Sequence, residues 1–379
     1  MKSERLKTLL IAGFAVALVA AAAWIEPEAY RPEIFSDQGQ PFFEKFRDVM
    51  AVKAIEVVDY DETQAVARPL KVEFRKGRWV MTSHNDYPAD ARDRLAKTAA
   101  ELVDLKKDIV VSERVDEHAK YGVIDPLDAK NASLTGRGKR LTLRDAQGAP
   151  LVQLVLGSPV KERAGYRYVR LPGEKRVYAV QTGADPSARF EDWVEGNLLR
   201  LSAASVRKLT LNSYSIDETA GRLMNMQRVV ITRGEKDDWR VEPPGKPSAA
   251  EVRSMVAALA SLRVSGARPK PDELARQLKT RQLQMTLETV MSLRQRGFFI
   301  TPDGRLLAKE GEIQVETENG WIYSLRFGEV VSATGKEGED RYLFVTVTSP
   351  DPAAQALDAR FADWYYVVSG ADFAKLRRK

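Results

Sequence analysis

The sequence predicts an α+β fold: an N-terminal transmembrane helix followed by two repeated modules of antiparallel sheet with packed helices. Three observations carry this expectation. An apolar run opens the chain, short alternating segments flank clear turn signals, and motifs recur in the same order at nearly constant spacing.

The apolar run is Leu9 to Ile25, 17 residues without a charge. As a helix it would span roughly 26 Å, close to the hydrocarbon core of about 30 Å. Lys2, Arg5 and Lys7 hold its near end in the cytoplasm, while Trp24 and Tyr30 stand where an aromatic belt would anchor the far end. Ala20 to Ala23 also offer small residues of the kind a signal peptidase accepts, so a cleaved signal is the competing reading. Either way residues 31 onward are exported, and the expected location is the cytoplasmic (inner) membrane, single-pass, with the main body outside. The expected division is 1–30 cytoplasmic tip and anchor, 31–44 linker, 45–200 first module and 201–379 second module. The segment Glu26 to Pro41 is polar and carries three prolines, which suits a linker.

The repeat is visible in the hexamers ARFEDW (Ala188–Trp193) and ARFADW (Ala359–Trp364), 171 positions apart. Trp79 and Trp239 are 160 apart, Leu102/Leu105 and Leu259/Leu262 are 157 apart, and Gly157 and Gly328 are again 171 apart. Ordered offsets that shift once suggest duplication with one insertion. In the second copy Ser248 and Glu251 form a capping box before a helix whose apolar face is Val252, Met255, Val256, Leu259 and Leu262. In the first, Asp90 is the expected cap, with Leu95, Ala99, Leu102 and Leu105 on the buried face. Asn319-Gly320, Gln147-Gly148 and Pro172-Gly173 each sit between alternating runs and predict hairpins. Short antiparallel strands with separate helices argue against a parallel doubly wound sheet.

Chemistry is sparse. With no cysteine, disulfides and thiolate chemistry are excluded. The net charge of +6 is a small excess of 59 basic over 53 acidic residues, which does not point to nucleic acid. His84 and His118 have no partner at a metal-ligand spacing and are expected at the surface. Gly136 to Arg140 (GRGKR) lacks the full phosphate-loop pattern and reads as a turn. Asp125/Asp128 and Glu337/Glu339/Asp340 are the carboxylate groups to weigh for acid–base work, and a solvated hairpin tip is the simpler account of the second group. Trp79, Trp239, Trp193 and Trp364 recur in a way that suits core packing better than a sugar platform. The reading assigns no catalytic, cofactor-binding or metal-binding residue, and no cofactor.

Trp79, the Tyr87-Pro88-Ala89-Asp90 turn, Leu102/Leu105 and Tyr121-Gly122 with Pro126 together resemble the bacterial domain-of-unknown-function family DUF4340. The similarity continues through LVLG, YRYVRL and FEDW, and the segment beginning RGFFITPDGRLL is also similar. No Y-G-x-x-x-P element is evident in the second copy. The resemblance implies single-span membrane proteins with an exported body, often encoded beside gliding-motility-type ABC permeases and ATPases. It supplies no catalytic residue. The expected function is therefore a non-enzymatic accessory or scaffolding subunit of an ABC-type or gliding-type envelope complex, with exposed sheet edges and the LRFGE segment, Leu325 to Glu329, as docking elements. An envelope-glycan binder is the alternative, and a carboxylate-dependent hydrolase the third.

Overall fold

Turn-flanked alternating segments build two antiparallel sheets. In this computed structural model residues 37–217, 222–235, 238–245, 247–301, 303–331 and 339–377 are described. The apolar run Leu9–Ile25 lies outside them, and among the described residues no helix is long and apolar enough to cross a membrane.

The first sheet contains β1 (Ala54–Asp61), β2 (Val66–Arg75), β3 (Arg78–Met81), β4 (Tyr87–Pro88), β5 (Ile109–Ser112), β6 (Lys139–Arg144), β7 (Pro150–Pro159), β8 (Tyr166–Arg170) and β9 (Val177–Gln181). Their order is β4-β3-β2-β1-β6-β7-β8-β9-β5. Between them come α1 (Arg92–Ala100) and the short α2 (His118–Tyr121). The second sheet contains β10 (Val206–Asp217), β11 (Arg222–Arg233), β12 (Trp239–Glu242) and, after α3 (Ala249–Ala260), β13 (Gly266–Pro269). An insertion follows: α4 (Asp272–Thr280), α5 (Leu287–Arg294), and a two-stranded sheet of β14 (Phe298–Ile300) and β15 (Leu306–Ala308). The sheet resumes with β16 (Glu312–Thr317), β17 (Ile322–Val330) and β18 (Arg341–Thr348), then α6 (Pro352–Ala362), β19 (Trp364–Val368) and α7 (Gly370–Leu376). Its order, β12-β11-β10-β16-β17-β18-β19-β13, is that of the first sheet without β4.

The registers say which residues correspond. Trp79 pairs with Phe74 and meets its ring edge-on at 5.3 Å, while Trp239 pairs with Arg233, whose guanidinium lies 5.7 Å from the indole. Leu156, Val169 and Tyr178 lie across three strands of one sheet as Phe327, Leu343 and Tyr366 do in the other. Tyr178 and Tyr366 are 188 positions apart, and this corrects the hexamer argument. Phe190–Asp192 is a 3-10 turn after β9, whereas Phe361 lies in α6 and Trp364 opens β19. The two hexamers occupy different places, because α6 stands where the first sheet has only the Pro172-Gly173 turn.

The helix expectations divide. Ser248 and Glu251 make the full capping box of α3, and its five apolar face residues are buried. Asp90 does not cap α1: the N-cap is Ala91, without a side-chain bond, and the Asp90 amide donates to the Trp193 carbonyl at 2.8 Å. Within the stretch read as linker, residues 39–42 exchange backbone hydrogen bonds with Leu105 and Lys107, and Asp37 pairs with Lys107 and Arg176 and accepts from the Tyr178 hydroxyl. One hydrophobic core runs through both sheets, joined where Tyr87 meets Trp364 edge-on at 4.9 Å and where the Leu198 amide donates to Leu262.

Candidate functional site

The polar groups singled out in the sequence are largely engaged in holding the fold. His118 is a core residue and not a surface one: it is 5% exposed, its Nε2 lies 2.8 Å from the Lys175 carbonyl, and burial pushes its pKa down. His84 is half-buried, bonded to Ser83 and tilted against the Phe190 ring at 5.0 Å, and burial lowers its pKa as well. Asp125 takes Arg140 at 2.7 Å and the Leu127 amide, and Asp128 takes the Lys130 amide. Asp340 accepts from the Ser265 hydroxyl and the Gly370 amide, Glu339 stands 3.8 Å from Arg341, and Glu337 lies outside the described residues. In the GRGKR segment Arg137 donates to the carbonyls of Asp125, Asp128, Asn131 and Ser133, closing a loop rather than opening an anion cradle. Trp193 and Trp239 are buried, and Trp79 and Trp364 pack on the same core.

Two glycines mark a shared construction. A Cβ on Gly157 would meet the Tyr121 carbonyl oxygen at 2.5 Å, and one on Gly328 would collide with the Arg296 carbonyl oxygen. In each half the chain crosses the sheet at this glycine, immediately before a left-handed glycine, Gly122 or Gly297. Arg296-Gly297 is thus the spatial counterpart of Tyr121-Gly122, which the sequence does not reveal because arginine replaces the tyrosine and the proline, Pro302, comes one position later. The LRFGE segment belongs to β17, hydrogen-bonded on both sides by β16 and β18, so its backbone is not free to dock a strand.

One exposed apolar surface among the described residues lies on the insertion. Leu274, Leu293 and Phe298 of the insertion and Phe344 and Tyr365 of the sheet form a small separate core beneath it. Gln277, 3% exposed, joins α4 to the next turn by accepting the Gln284 amide at 3.0 Å and donating to Glu273. Thr286 caps α5 by accepting the Thr289 amide. This helix is inverted: it buries Thr289 and Ser292 along with Leu293, and exposes Leu287 at 80% and Met291 at 48%, with Met285 at 56% just before it. Ordinary amphipathic packing puts the apolar stripe inward.

Beside Met291 opens a cleft of about 490 Å³, lined also by Pro269, Lys270, Pro271, Ser292 and Arg296. Lys270, 3% exposed, donates to the Phe361 and Trp364 carbonyls at 2.8 and 2.6 Å and lies 4.1 Å from the Phe344 ring centre. Burial pushes its amine well below the usual lysine range, against the pull of Asp363 and Asp358. Its bonds close the C-terminus of α6, a structural task. Arg296 lies over Tyr365 at 4.6 Å and donates to the Ser292 carbonyl. Ser292 Oγ bonds the Tyr365 hydroxyl, whose pKa burial pushes up to about 12. Chemically the cleft offers one guanidinium, Arg296, one carboxylate, Glu288, and an apolar, methionine-bearing lip, suited to binding. Among the described residues no group of His, Cys, Asp and Glu is placed to hold a metal ion.

A model of the family "Domain of unknown function (DUF4340)" matches residues 79–284, spanning β3 to the loop after α4. No curated protein and no solved structure matches the chain.

Proposed function

This chain belongs to the DUF4340 family, and we propose that it is a membrane-anchored, exported accessory subunit that binds a protein partner through the insertion of its second half. The observation that carries the reading is the inverted helix α5. A helix that buries two hydroxyl residues and exposes a leucine and two neighbouring methionines leaves apolar area in water, and contiguous exposed apolar area marks interaction surfaces. Methionine adapts its shape to a partner at low cost. The partner proposed is an ABC-type permease with its ATPase, reached from the outer face of the cytoplasmic membrane. No nucleic-acid role and no enzymatic activity are proposed. Burial of Trp193 and Trp239 counts against a tryptophan-lined glycan platform, and the bonds made by Asp340 count against a free catalytic carboxylate.

The test is affinity purification of the tagged full-length protein from its own cells in mild detergent, beside an anchor-only version and the Leu287→Glu/Met291→Glu double variant. Stoichiometric permease and ATPase with the full chain, absent from both controls, is the expected result. Equal recovery with the double variant would remove α5 from the interface. Recovery with the anchor alone would reduce the exported body to a passenger.

A further inference from the structure

The two halves differ where each chain leaves its last inner strand. After β19 the second half forms α7, which packs on α3 and sends Phe373 and Leu376 against the core. After β9 the first half has no helix: residues 182–189 run as a loop into the 3-10 turn Phe190–Asp192. A cavity of about 330 Å³ remains between this loop and α1, with Trp193, Ala184 and Pro186 among its lining residues. By order along the chain it is the counterpart of the place where α7 packs on α3 in the other half.

Its charges are unevenly spent. Glu101 accepts the Gly183 amide at 2.8 Å, Asp185 is paired with Lys139 and Arg167, and Asp192 accepts from Ser187 and Arg189. The side-chain cations of Arg94 and Lys97, close to one helical turn apart on α1, make no hydrogen bond or ion pair with another described residue, although Arg94 exerts a longer-range pull on Asp192. Asp185 and Asp192 are paired with cations and Glu101 meets only a backbone amide, so Arg94 and Lys97 leave the lining with one more unpaired cation than acid.

We infer that this cavity is a second docking site, receiving an acidic segment of a protein partner that inserts one apolar side chain beside Trp193 and sets its carboxylates against Arg94 and Lys97. Charge complementarity selects the acidic partner, and the helix lodged at the corresponding place in the second half selects a peptide segment with an apolar anchor. The site rests on the partner-binding reading above but uses a surface other than α5.

A photo-crosslinking amino acid in place of Lys97 of the full-length protein, activated in its own cells, tests this, with the same residue at Leu287 in parallel. The expected product at 97 is a crosslinked peptide with net negative charge and a Phe, Leu or Met. Adding Arg94→Glu should lower its yield about fivefold or more, as loss of a charge pair at an interface does. A neutral or basic captured peptide, a yield indifferent to Arg94→Glu, or no product would overturn the site. Capture at 287 without capture at 97 would leave the α5 interface standing and remove this one. Capture at 97 alone would do the reverse.

Discussion

Single residues show where the sequence is explicit and where it is silent. LVLG and LRFG display their glycines openly, but the reason for them is tertiary, since each backbone is crossed by a carbonyl from a distant segment. Gly328 therefore tolerates no side chain. Gly328→Ala should cost about 2–3 kcal/mol or more by overpacking, read as a fall in the denaturation midpoint. Gly320→Ala, at a hairpin tip with open space but φ +78°, should cost about 1 kcal/mol. Equal losses would mean that the crossing is not tight. Lys270 is legible only as one lysine between two prolines, because its burial depends on α6, whose Phe361 carbonyl comes from 91 residues away. Its depressed pKa sets a sign for pH dependence. Between the lowered folded value and the ordinary value of about 10.4, the unfolded chain holds the proton and the folded chain has released it, so stability rises with pH across that window. Wild type should gain midpoint temperature from pH 7 to pH 9, and Lys270→Met should lose most of that gain. A variant that follows wild type would show that the amine stays charged in its carbonyl and ring cage.

At the scale of elements, hairpins and the α3 helix are legible because local chemistry fixes them. Asn319-Gly320 and Pro172-Gly173 need no distant partner to turn, and Ser248 with Glu251 satisfies its own helix end. Ser248→Ala should accordingly cost about 1 kcal/mol. Asp90→Ala should cost almost nothing, since only its backbone amide is used. Chemical denaturation of both variants distinguishes a cap that acts from one that only resembles a cap. The α5 helix is not legible: Thr286 gives a start signal, but of the apolar residues that follow in the helix only Leu293 is fully buried, so no inward stripe announces a helix. The sequence offsets suggest one insertion, whereas the extra length enters at two main places: as α4, α5 and the β14–β15 pair between β13 and β16, and as α6 between β18 and β19. Residues serving an external surface lack the periodicity by which sequence reveals an interior.

At the scale of the molecule, the recurrence of one strand order raises the question of whether the halves are separable folding units. Their boundary argues that they are not. Tyr87, on the outermost strand of the first sheet, touches Trp364 and Tyr366 of the second and Phe190 of its own half, and burial raises its pKa. Arg360 pairs with Glu195 at 2.6 Å across the same boundary, and that carboxyl is held below its usual range despite burial. The core is continuous there, so opening one half would expose apolar surface of the other. Domains joined by a large hydrophobic interface unfold together, whereas those joined by a polar one move independently. Calorimetry of the full-length protein should therefore give a single transition whose van't Hoff and calorimetric enthalpies agree. Tyr87→Ala, removing about 3–5 kcal/mol of aromatic packing at the joint, should lower that transition and begin to split it. Two transitions in the wild type would instead mean that each sheet stands alone. The two proposed docking surfaces, one on each half, would then be free to reorient about the joint, and a partner touching both would have to supply the rigidity that Tyr87 does not.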